Sequence, residues 1–137
     1  ADYVRHISRP FIFSASLTPV SAATTLAALH RLIEEPERPK KLNNLATYFR
    51  KQLLAADVKI IEAQTPIVPI YTYQTLDTLY YGKKMFDEGV YVNPVIAPGC
   101  VEGECLLRTT IMATHTEEIL DEAVEIISRV LKAGPKI

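Results

Sequence analysis

A few residues of this chain have types and spacing that could do chemistry. Arg108 stands in "CLLRTTIMA", a guanidinium set among apolar and hydroxyl neighbours. A buried charge in such a place is costly unless it is paired. Two readings are open for it. It is an edge position or a structural ion pair, or it is a planar fork aimed at a ligand carboxylate, which it can bind through two parallel hydrogen bonds. Ser14 and Ser16 lie in "FIFSASLTP", where the apolar run Phe11-Ile12-Phe13 is expected to be buried and Thr18-Pro19 signals a helix start. The serines either terminate and cap, or present hydroxyls beside the N–H groups of that helix to an anion. His115 directly precedes a Thr116 cap, where an imidazole more often bonds to backbone than acts as a base.

The other candidates exclude more than they suggest. Cys100 and Cys105 are too few for a disulfide framework. Structural zinc needs a full set of Cys and His ligands, and His115 alone is near in sequence, so no metal is expected. The cysteines read as free thiols of a reducing compartment. His6 and His30 support no catalytic role. Glu117, Glu118, Asp121 and Glu122 read as a solvated first helical turn, and Tyr71, Tyr73, Tyr80 and Tyr81 as core or interface aromatics. The sequence has no G-x-S-x-G, Walker loop, G-x-G-x-x-G or metal triad, and no nucleophile–base pair can be assembled from it.

A formal net charge of -1 gives no support for a nucleic-acid surface. No run approaches the roughly 18 apolar residues of a membrane span. With 137 residues, 48% hydrophobic and 23% charged, the chain is sized and composed for one soluble domain with a real core. No secretory or lipidation signal is found, which makes the cytoplasm the expected compartment. "ADYVRHISRP" reads as the tail of an earlier element, so a piece of a longer protein is expected.

These residues must be positioned by a small set of elements. The spacing predicts a helix over 19–35, with Val20, Ala23, Leu26, Ala27, His30 and Ile33 on one narrow stripe. Pro36 and Pro39 then punctuate. A second helix follows, with Leu42, Leu45, Phe49 and Leu53 on one face, ending near Ala56. "TPIVPIYTYQ" reads as a strand whose Pro66 and Pro69 restrict it to an edge or a bulge. Leu76, Leu79, the stem of Lys83 and Phe86 mark the face of a third helix, with Gly89 just past its end. "VYVNPVIAP" is a short extended piece interrupted by Pro94, and "GCVEGE" is a loop. "CLLRTTIMA" is a strand with Leu107, Thr109 and Ile111 on one face and Leu106, Arg108, Thr110 and Met112 on the other. The last helix is capped by Thr116, buries Ile119, Leu120, Ala123, Ile126, Ile127, Val130 and Leu131, and stops at Gly134-Pro135. The order helix, helix, strand, helix, strand, strand, helix implies an α/β or α+β layer, a small sheet covered by helices.

The strings "RPFIFSASLTP", "GVYVNPVIAP" and "LLRTTIMATHTEEILDEAVEII" together resemble the C-terminal portion of the α-oxoamine synthases, in family order and over essentially the whole chain. That family of fold type I pyridoxal-phosphate enzymes includes 8-amino-7-oxononanoate synthase, 2-amino-3-ketobutyrate CoA ligase, 5-aminolevulinate synthase and serine palmitoyltransferase. Its members condense an amino acid with an acyl-CoA to give an α-amino ketone. The strings lean slightly toward the serine palmitoyltransferase-like and ketobutyrate ligase-like branch. The resemblance implies a small, mostly antiparallel sheet. Residues 1–18 would close the large domain and form an interface turn, and 19–137 would be the small C-terminal domain, with 19–35 as its linking helix. By the same resemblance, Arg108 receives the carboxylate of the amino-acid substrate. Ser14 and Ser16 reach across a homodimer interface to the phosphate of pyridoxal phosphate, with Ala15 where several members carry a polar residue.

The family's Schiff-base lysine, its ring-stacking histidine and its pyridine-pairing aspartate match nothing in this chain. Lys40, Lys41, Lys83 and Lys84 read as solvent-facing, so these 137 residues alone are expected to be inactive. Two departures stand out: "SLTP" where many members read "SLPP", and Cys100-Val101 where Val-Pro is common. The second lies in a loop that borders the family's substrate entrance, which leaves the acyl-chain preference open. The rival readings are the small domain of a fold type I aminotransferase, whose carboxylate-binding arginine sits on a similar strand, and a non-catalytic α/β interaction module.

Overall fold

The structure is a computed structural model that describes residues 1–15 and 17–135. Contacts divide the chain into two units, Ala1–Pro36 and Glu37–Ile137.

The first unit holds α1 (Asp2–Ile7), α2 (Arg9–Ile12) and α3 (Pro19–Glu34). The two short helices lie where the sequence suggested only the tail of another element. α3 begins as Thr18-Pro19 predicts. The Thr18 hydroxyl accepts from the Ser21 amide at 3.2 Å, and Pro19 occupies a position whose N–H would have no helical partner. No described residue of this unit is buried. The apolar run that was expected to be buried is open, with Phe13 82% exposed. So few residues in three helices cannot enclose a core of their own.

The second unit has the core. It comprises α4 (Glu37–Ala55), β1 (Ile67–Tyr73), α5 (Thr75–Asp87), β2 (Asn93–Val95), β3 (Cys105–Thr110) and α6 (Glu117–Ala133). Pro39 does not precede α4 but lies inside its first turn, where N–H groups lack helical partners and proline is tolerated. The predicted face of α4 holds, burying Leu45, Ala46, Phe49 and Leu53.

The three strands form one antiparallel sheet in the order β1-β3-β2, so the last strand in sequence is the central one. Both proline-bearing strands are edges, as proline requires. The Pro69 carbonyl accepts from the Ile61 amide at 2.9 Å on the far side from β3. The Pro69 nitrogen points the same way, so the β1–β3 ladder loses no donor. The register slips between Tyr71 and Tyr73, beyond either proline, and Tyr73 takes a positive φ of 66°. Val68, Ile70, Leu107 and Ile111 form the sheet's contribution to the core, joined by Phe49, Leu53, Met85 and Ile127 from the helices.

One helix face is not the predicted one. α5 buries Thr78, Tyr81, Gly82 and Met85, while Leu76 and Phe86 are 76% and 60% exposed. A polar anchor and a small residue decide the orientation. The Thr78 hydroxyl meets that of Thr72 at 2.6 Å, and Thr72 donates to the Cys105 carbonyl at 3.1 Å. Gly82 lets the helix sit close to the sheet: a methyl there would lie 3.5 Å from Leu107 and 3.8 Å from Pro94.

α6 starts at the Thr116 cap, which accepts from the Ile119 amide at 3.4 Å. It buries Leu120, Ile126, Ile127 and Val130, but Ile119 belongs to its exposed side. Glu88, just past α5, pairs with Arg129 of α6 at 2.7 Å, and that hydrogen bond holds the Glu88 carboxyl below its ordinary pKa.

Candidate functional site

Period-two alternation along β3 sends Cys105, Leu107 and Thr109 into the core and leaves Leu106, Arg108 and Thr110 on the outer face of the sheet. Arg108 is therefore exposed in the middle of the central strand, not on an edge. Among the described residues its guanidinium makes no salt bridge or side-chain hydrogen bond. A charge on open sheet surface incurs no burial penalty, and its five donors remain available.

Register supplies its neighbours. Arg108 lies opposite Pro69 of β1 on one side and Asn93 of β2 on the other. Pro94 and Leu107 both face Gly82 of α5, so Asn93, one residue earlier, points to the opposite face with Arg108. Toward the start of β3, Tyr71 and Tyr73 stack with ring centroids 5.5 Å apart and planes 7° from parallel. Past its end, on the side of the sheet that the helices cover, a 460 Å³ cavity is lined by Phe49, Thr109, Ile111, Leu120, Ala123 and Ile127, among others. The outer face thus places a free guanidinium beside an aromatic ledge. It can take an anionic group such as a carboxylate.

His115 is held by backbone. Its Nδ1 accepts from the Met112 amide at 3.3 Å, so the neutral ring carries its proton on Nε2. The acidic first turn of α6 is exposed, although Asp121 accepts from the Tyr48 hydroxyl at 2.7 Å. Both cysteines are free thiols, Cys105 buried and Cys100 half-buried. The Thr75 hydroxyl, 3.5 Å away, draws the Cys105 thiol below its ordinary pKa, while burial pushes that of Cys100 up. Among the described residues no cluster of His, Cys, Asp and Glu could hold a metal ion. No described helix is long and apolar enough to cross a membrane.

In the first unit, Ser14 is exposed and its hydroxyl donates to the Phe11 carbonyl at 3.1 Å. Ser16, the other phosphate candidate, lies outside the described residues. The Thr18 hydroxyl is committed to the start of α3, touching Ser21 through both backbone and side chain.

Asn93 is the polar group that the sequence did not single out. Its string was noted, but only strand register reveals that it stands beside Arg108, and register is not a local property of sequence.

A family model described as aminotransferase class I and II matches residues 1–127. The chain is 42% identical over 132 residues to a serine palmitoyltransferase of Bacteroides ovatus, covering 96% of this chain and 34% of that protein. It is 35% identical over 131 residues to 8-amino-7-oxononanoate synthase 1 of Bacillus velezensis, covering 96% and 34%. A solved serine palmitoyltransferase from S. paucimobilis with a bound PLP–myriocin aldimine matches with a TM-score of 0.86 at 27% identity, over 96% of this chain and 34% of that one. An 8-amino-7-oxononanoate synthase from Francisella tularensis matches with a TM-score of 0.78 at 22% identity, over 96% and 38%, a likeness of fold. The chain spans about a third of the length of the curated relatives it matches.

Proposed function

The chain belongs to the aminotransferase class I and II family, and from that premise we propose that it is the C-terminal part of a pyridoxal-phosphate-dependent acyltransferase. The whole protein condenses an amino acid with an acyl-CoA to give an α-amino ketone. The observation that carries this reading is Arg108, exposed at the centre of the sheet's outer face with its donors uncommitted among the described residues. A guanidinium so presented suits the carboxylate of an amino acid, because two parallel hydrogen bonds fix both position and tilt. The identities of 42% and 35% favour the serine palmitoyltransferase branch, whose name gives serine and a palmitoyl group as the partners.

When bound, pyridoxal phosphate supplies the electron sink for chemistry at the amino acid's α-carbon. Ser14 and Ser16 would hold its phosphate from the neighbouring subunit of a homodimer. The exposed Ser14 hydroxyl, just ahead of a 16-residue helix, fits such an anion, since the helix start adds a positive dipole end. To donate to the phosphate, Ser14 must exchange its bond to the Phe11 carbonyl for the new one. Cytoplasmic residence goes with this reading, and two free thiols suit a reducing compartment.

The test is thioester-dependent release of free CoA by the full-length protein, with a panel of amino acids. An aminotransferase would instead pass the amino group to a keto acid and release none. Arg108→Lys keeps the charge but loses the fork, and a hydrogen bond to a charged group contributes about 1.5–3 kcal/mol. The KM for the amino acid should therefore rise about tenfold or more, with kcat less affected. An unchanged KM in that variant would remove Arg108 from the site.

A further inference from the structure

We propose that Asn93 is a second carboxylate-binding residue of the amino-acid site, its side-chain amide donating to the same carboxylate that Arg108 receives. This rests on the reading of Arg108 given above. Residues directly opposite in an antiparallel pair have Cβ atoms about 4.5–5.5 Å apart on one face, within reach of a shared small ligand. A carboxylate offers about four lone-pair sites, and a bidentate guanidinium occupies two of them. The remainder need a donor once the site closes around the substrate, because an unsatisfied charged acceptor is expensive.

Asn93 is suited to supply it. Its side chain is half-buried and makes no hydrogen bond to the described residues, so its NH₂ group is uncommitted. Pro94 follows it, which restricts Asn93 to extended backbone and fixes the direction in which the amide leaves the strand. The amide oxygen can accept from Arg108, turning the NH₂ toward the bound anion. On the other flank, Pro69 offers no polar side chain. The donors around Arg108 are therefore one-sided, and the carboxylate is drawn toward β2.

The experiment measures binding of L-serine to the full-length holoprotein by calorimetry, against 2-amino-1,3-propanediol, which keeps the amine and hydroxyl but lacks the carboxylate. Asn93→Ala should weaken serine binding about tenfold and leave the amino alcohol unchanged. Asn93→Asp, nearly isosteric, should weaken serine further, because its carboxylate pairs with Arg108 and repels the ligand. Steady-state kinetics should show the loss in KM more than in kcat. Wild-type serine affinity in both Asn93 variants, alongside weakened binding in Arg108→Lys, overturns the proposal and leaves the Arg108 reading intact. Unchanged affinity in Arg108→Lys overturns both. Equal losses for serine and the amino alcohol also overturn it, since they mark a structural role.

Discussion

Thr72 and Thr78 bring two hydroxyl protons to three close contacts. Their oxygens are 2.6 Å apart, Thr72 reaches the Cys105 carbonyl at 3.1 Å, and Thr78 reaches the Gln74 carbonyl at 2.7 Å. Each hydroxyl carries one donor, so at any moment one contact goes without a proton. Both residues are buried, and together they tie α5 to β1 and β3. Thr78→Val should lower the unfolding free energy by about 1 kcal/mol, the net worth of an ordinary hydrogen bond. The double variant with Thr72→Val should cost less than the two single losses summed, because either change already breaks the shared contact. Urea denaturation of the set of variants measures this, and strict additivity would show that the hydroxyls act separately.

Gly82 is the residue that lets α5 lie close against the sheet, yet the space around it is not tight. A methyl at 3.5 Å from Leu107 is an ordinary contact, and glycine inside a helix is about 1 kcal/mol worse than alanine. Gly82→Ala should accordingly stabilise the domain by up to about 1 kcal/mol, whereas Gly82→Leu should lift the helix and destabilise it by about 1–3 kcal/mol. Thermal melts of the two variants decide; a destabilised alanine variant would mean that the helix cannot take even a methyl. The same helix shows where the sequence was legible. Features set by neighbours in the chain could be read directly: the Thr18 and Thr116 caps, the alternation that sets Arg108 on the face opposite Leu107, and the restriction that Pro69 puts on its strand. The buried stripe of α5 could not, because hydropathy favoured Leu76 and Phe86 over a threonine with a distant hydroxyl partner. Asn93 was missed for a related reason: nothing local says which residue of one strand will face which residue of another.

At the scale of the molecule, every buried core residue among those described lies between Leu45 and Val130, inside the second unit. A polypeptide of residues 37–135 should therefore fold cooperatively by itself, whereas residues 1–36 alone should show little helix. An isolated 16-residue helix is marginal in water, and no described residue of that unit is buried to support it. Circular dichroism and thermal melts of the two pieces test this, and a non-cooperative melt for 37–135 would refute it. The bare first unit also bears on how tolerance to mutation should be interpreted. A saturation scan scored on abundance should return a flat profile over positions 1–36, because no described side chain there fills a core. Intolerance at Phe11, Phe13 or Ser14 that emerged only when the full-length protein was scored on activity would then be a record of what those residues touch, not of how they fold.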